Sequence, residues 1–130
     1  MIRTDAVDVA VLESLVGQEV AAGEDLDELG YNLALAHGDA QGAGLESLWE
    51  SAKSEFRTLL CTTDARYADL RRRISQITDN YTTTLVAAIT GAVAATLSVT
   101  TALLTPLVSL LVITLLRVGK EAICNLKWGT

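Results

Sequence analysis

Four stretches of this chain repeat apolar residues at helical spacing. A fifth loses the pattern because almost every position in it is apolar or small. Residues 5–21 place Val7, Val11 and Leu15 in register, with Val9, Leu12, Val16 and Val20 beside them and Asp8, Glu13 and Glu19 opposite. That spacing predicts a helix closed by Gly23. Residues 25–37 align Leu26, Leu29, Leu33 and Ala36, with Glu24 and Asp25 near the positive end of the helix dipole and Gly38 as a terminator. Glycines at 38, 42 and 44 mark a loop. A third helix carries Leu45, Leu48, Trp49, Ala52, Phe56, Leu59 and Leu60, with Glu46, Glu50, Lys53, Glu55 and Arg57 on the polar side. Thr62-Thr63-Asp64 supplies an N-cap for a fourth, striped by Tyr67, Leu70, Ile74 and Ile77 and crossed on its polar side by Arg71, Arg72 and Arg73.

From Asn80 to Leu116 there is no charged residue, a run of 37 positions. A helix apolar all round must be covered on every side, by protein or by lipid. Leu85–Leu104 is rich in Ala, Thr, Ser and Gly, whereas Leu107–Leu116 is built of large aliphatics, and Pro106 separates them. Proline removes a helical hydrogen bond and biases the residue before it away from helical angles. Helices over about 82–104 and 106–123 are therefore expected, hinged at Thr105-Pro106. The fold class is all-α: four short amphipathic helices, then a hydrophobic helical hairpin or a kinked transmembrane helix. Residues 1–79 form an acidic head domain, 80–123 the uncharged segment and 124–130 a short tail.

Charge flanks the segment on both sides, with Arg66 and Arg71–Arg73 before it and Arg117, Lys120 and Lys127 after it. Basic flanks favour both ends on one side of a membrane, hence a hairpin. Measured from Pro106 to Leu116, however, the second limb is short, and it reaches across only if Arg117, Lys120, Lys127 and Trp128 act as interfacial anchors. Ala87, Gly91, Ala95, Ser98 and Ala102 recur near four-residue spacing, a face that lets helices approach closely in lipid. These five are the candidate helix-packing and oligomerisation residues.

Composition changes this picture in two respects. Half the residues are hydrophobic but only 5% are aromatic, and there is a single proline, which suits helices of Ala, Leu, Val and Ile. The net charge of −6 is uneven: residues 1–50 hold eleven acids against Arg3 alone. So acidic a front third is repelled by nucleic-acid backbones and anionic lipid headgroups, which excludes a nucleic-acid partner and leaves a basic protein as a possible one. Cys61 and Cys124 form no metal or redox motif, and with no secretory signal at the N-terminus they are expected as reduced thiols inside the cell, with a disulfide between them as the less favoured alternative.

Candidate chemistry is sparse. His37 is the single histidine, so a metal centre or a Ser-His-Asp set has nothing to build on. No phosphate-cradling glycine pattern or calcium loop occurs. The chain is expected not to be an enzyme and to need no cofactor. Its partners are a lipid bilayer and further copies of itself, at an inner membrane with a cytosolic N-terminal domain. The layout of soluble helices before an apolar hairpin is similar to the pore-forming colicins in architecture, without a shared motif. The expected function is an oligomerising, membrane-perturbing effector or toxin-like component whose helical head regulates it. The alternative is a cytoplasmic all-α interaction module that buries its C-terminal hairpin against itself or a partner.

Overall fold

The computed structural model describes residues 2–21, 23–38 and 45–125. They form six α-helices and no strand. Helix α1 spans Val9–Val16 and starts where the Asp8 carboxylate accepts the Ala10 N–H at 2.9 Å. It stops at Gly17 rather than Gly23, because Gly17 turns left-handed (φ 97°) and donates back to the Glu13 carbonyl. The Glu13 carboxylate then accepts the Val20 N–H at 2.8 Å, which folds the following residues back over the helix end. Helix α2, Leu26–Gly38, is capped by Asp25, whose Oδ1 accepts from the backbone of Asp27 and Glu28.

Helix α3 spans Leu45–Cys61, and Arg71 finishes it: the guanidinium donates to the carbonyls of Thr58, Leu59 and Asp64 at 2.9–3.0 Å. Those carbonyls at a helix end have few other partners, and a cation there suits the dipole. Asp64 caps the 3₁₀ turn Ala65–Tyr67 by accepting the Arg66 N–H, which holds its carboxyl below the ordinary range. Helix α4, Ala68–Ser75, follows directly.

The α2–α3 contact departs from the polar face drawn from periodicity. Lys53, expected in solvent, is only 1% exposed. Its ammonium reaches Asp27 of α2 and, at 2.8 Å, Glu50 one turn back on its own helix. It also lies 5.4 Å from the Trp49 ring centroid and 5.6 Å from that of Tyr31. Trp49 Nε1 donates to the same Asp27 carboxylate at 2.8 Å, and the Tyr31 hydroxyl donates to Glu50. A buried ammonium is tolerated when it is paired and bonded in this way. Gly30 completes the fit, because a Cβ there would stand 2.1 Å from the Trp49 ring.

Helix α5, Tyr81–Leu97, lies between two left-handed residues, Asn80 (φ 49°) and Ser98 (φ 58°). Helix α6 runs Thr101–Asn125 and is interrupted only at Gly119 (φ 85°, ψ 161°). The turn of the hairpin is therefore at Ser98–Thr100, and the hinge expected at Thr105-Pro106 is instead continuous helix. Pro106 lies early in α6, where it forgoes one bond to the Ala102 carbonyl while its ring is buried in the core. The Thr105 hydroxyl, donating to Thr101 at 2.8 Å, secures the same turns.

Helix α6 is the axis of the molecule, packed against α1, α2, α3 and α5. Every residue from Pro106 to Leu115 is buried. One continuous core joins Leu12, Trp49 and Phe56 of the N-terminal helices to Ile89, Leu107 and Ile113 of the hairpin. The accessible surface is 6686 Å². A compact monomer of 13.8 kDa has about 6,600 Å². The chain covers the large aliphatics of α6 with its own helices.

Candidate functional site: an apolar hairpin and its latches

The hairpin α5–α6 is the feature that distinguishes this bundle. Helix α6 is long and apolar enough to cross a membrane, with mean hydropathy 2.0 over its best 18-residue window, and 61% of that window is buried in the bundle. Moving the turn to Ser98–Thr100 lengthens the second limb beyond the sequence expectation. Helix α5 has 17 residues, about 25 Å, and α6 from Thr101 to its break at Gly119 is about 27 Å. Both approach a hydrocarbon core of about 30 Å.

The two limbs differ in what covers them. The inner face of α5, with Leu85, Val86, Ile89 and Val93, is buried, whereas Thr83, Thr84, Ala87, Gly91, Ala95 and Thr96 face outward. All five candidate packing residues, Ala87, Gly91, Ala95, Ser98 and Ala102, are exposed. A Cβ at Gly91 would meet nothing within 4 Å. The small-residue stripe is thus not used for packing within the chain.

Four hydroxyls in the hairpin are satisfied within their own helix. Thr96, Thr105, Ser109 and Thr114 each donate to the carbonyl four residues back, at 2.7–3.0 Å. Such back-bonding hides a hydroxyl in apolar surroundings without a partner from another helix. The Thr90 Oγ1, by contrast, is buried with no hydrogen-bond partner among the described residues.

Polar latches hold the hairpin to the remaining helices. At the start of α5, the Tyr81 hydroxyl accepts the Arg3 N–H at 2.7 Å, and the Arg3 guanidinium stacks 4.5 Å from the Tyr81 ring while donating to the Ile77 carbonyl. Next to it, Thr82 Oγ1 accepts the Asp8 N–H at 2.7 Å. Near the C-terminal end of α5 the buried Tyr67 hydroxyl donates to Glu55 at 2.6 Å and lies 3.4 Å from Thr96 Oγ1. Burial, then the Glu55 hydrogen bond, pushes that hydroxyl up to about 12. Towards the end of α6, Arg117 donates to the carbonyls of Val20 and, at 2.8 Å, Ala21. A covalent latch closes the set: Cys61 and Cys124 form a disulfide with their Cα atoms 5.6 Å apart.

The disulfide corrects the expectation of two reduced thiols. The cysteines are distant in sequence, and only the return of α6 along α3 brings them together. Of the four expected interfacial anchors, Arg117 binds backbone in the α1–α2 connection and Lys120 borders a cavity of about 310 Å³ with Ile2, Thr4, Leu60, Leu115 and Leu116. Lys127 and Trp128 lie outside the described residues, as does the side chain of His37. Among the described residues no three His, Cys, Asp or Glu side chains converge as metal ligands. Sequence reading missed the latches, because Arg3, Asp8 and Tyr67 carry no motif and acquire partners only through the fold.

Comparison with protein-family models, with curated proteins and with solved structures finds no match.

Proposed function

We propose that this protein is a membrane-inserting, self-associating helical effector, held in a closed form in which α1–α4 sheath the α5–α6 hairpin. The observation that carries the reading is the outward face of α5. Over four turns it meets solvent, where a charge costs nothing, and yet it holds none. A charged side chain at the centre of a bilayer costs about 2.5–3.5 kcal/mol or more, and Asn80–Leu116 incurs no such cost. The limb lengths and the locally bonded hydroxyls support the same transfer. In lipid, Ala87, Gly91 and Ala95 would allow copies to approach closely.

The sheathing of α6 favours a second reading, a stable all-α interaction module that never opens. One experiment separates the two. The full chain is incubated with phosphatidylcholine vesicles, in oxidising and in reducing buffer, and the vesicles are floated after an alkaline carbonate wash. Retention on the vesicles, with chemical crosslinking to oligomers that Gly91→Leu diminishes, supports insertion. Recovery of a monodisperse species from the wash in both buffers supports the module.

A further inference from the structure

The Cys61–Cys124 disulfide ties the last residue of α3 to the end of α6, beyond the break at Gly119. The loop it closes spans a sequence separation of 63 residues and contains α4, α5 and nearly all of α6. The whole hairpin is therefore a closed ring fastened to the sheath. While the bond is intact, the carboxyl end of α6 cannot leave α3. Beyond Gly119, noncovalent attachment is thin: Ile123 is buried, whereas Lys120, Glu121 and Asn125 are exposed. Both cysteines are only part-buried, so a small dithiol can reach them.

We propose that this disulfide is a redox lock on the closed bundle, opened by a dithiol reductant. The reductant's thiolate attacks one sulfur, forming a mixed disulfide as the other cysteine departs as thiolate. The reductant's second thiol then closes its own disulfide and releases the remaining cysteine. Two electrons pass to the protein, and Cys61 and Cys124 end as thiols. Cross-linking a loop of this size also stabilises the closed form against opened states of the loop by roughly a thousandfold, by the chain-entropy relation. The closed form then belongs to an oxidising compartment and the opened form to a reducing one. The step from opening to insertion rests on the membrane reading above; the lock itself does not.

The test uses the full chain, oxidised or reduced after folding, and the double variant Cys61→Ser/Cys124→Ser. Hydrogen exchange over residues 117–125 is measured without lipid, and the rate of carbonate-resistant binding to phosphatidylcholine vesicles is measured separately. Reduction is expected to raise exchange in that segment and to speed insertion at least tenfold, with the double variant fast in either buffer. Unchanged exchange on reduction overturns the lock. So do measurable but equal insertion rates for the oxidised and reduced chain, which would leave the membrane reading standing, or a reductant effect that persists without the cysteines. Faster exchange with no insertion in any state upholds the lock and overturns the membrane reading. Should the double variant fold poorly, the chain reduced after folding gives the same comparison.

Discussion

Helix α5 and the Thr101–Leu116 part of α6 share an absence of charge and differ in residue size, and size decides which of them is enclosed. Large aliphatics from Leu107 to Leu115 gain most from burial, so the other helices pack around them and leave no exposed face. Helix α5 buries one side, and Thr83, Thr84, Ala87, Gly91, Ala95 and Thr96 on the other remain in solvent. The absence of charge in α6 before Arg117 follows from the position of Pro106–Leu115 in the core. In α5 the core explains only half of it. The outer half, exposed and uncharged, is the feature on which the proposed membrane reading rests.

The steepest test of that contrast is truncation in the two limbs. Leu111→Ala removes a side chain that is 1% exposed from the centre of the core, so a loss of about 2–5 kcal/mol is expected in denaturant unfolding. A change such as Ala95→Ser on the outer face of α5 should stay within about 0.5 kcal/mol. Comparable losses at both sites would mean that α5 is covered after all.

Glycines sharpen the same point. Gly30→Ala drives a Cβ into the Trp49 ring and should cost about 1–3 kcal/mol, read as a lower unfolding midpoint. Gly91→Ala meets open space inside a helix, so a gain of up to about 1 kcal/mol is expected from helix propensity alone. The same change should reduce crosslinked oligomers on vesicles. A destabilised Gly91→Ala would show that the stripe already packs within the chain.

Hydroxyls provide a smaller effect of opposite sign. Thr90→Val removes a buried oxygen that has no partner and should stabilise by about 1 kcal/mol, whereas Thr114, bonded to Leu110, gains nothing from the same change.

The smallest effect is confined to alkaline pH. The Tyr67 hydroxyl ordinarily titrates near 10, and in the fold it is raised to about 12. Its neutral form is the one the fold favours, so this contribution is fully present below about pH 10 and lost as pH rises towards 12. Thermal midpoints of the native chain should fall more steeply over that window than those of Tyr67→Phe.

Much of the fold was legible because helical periodicity survives at Leu48, Trp49, Ala52 and Phe56 and at Leu70, Ile74 and Ile77, where one face is buried and one wet. Where the hairpin turns was not. Proline at 106 outweighed Ser98 on local rules, yet a proline early in a helix forgoes one bond, and Ser98 adopts a left-handed angle that no motif announces. Lys53 was misplaced because periodicity sees its charge but not Asp27, which reaches it from another helix. The disulfide was illegible for the same reason, since sequence spacing carries no information on a contact made by a returning helix. The small-residue stripe was readable as a pattern, and only the fold shows that it lies in solvent.

The most direct measurement is the depth of α5 in lipid. A genetically encoded environment-sensitive fluorophore is placed at Ala95, with a control at Ser54 on the exposed side of α3, and the reduced chain is mixed with phosphatidylcholine vesicles carrying a lipid-attached quencher. The expected result is a blue shift and strong quenching at Ala95 while Ser54 remains aqueous. If both positions stay aqueous, the hairpin does not enter lipid, and the charge-free face of α5 serves contact with protein instead.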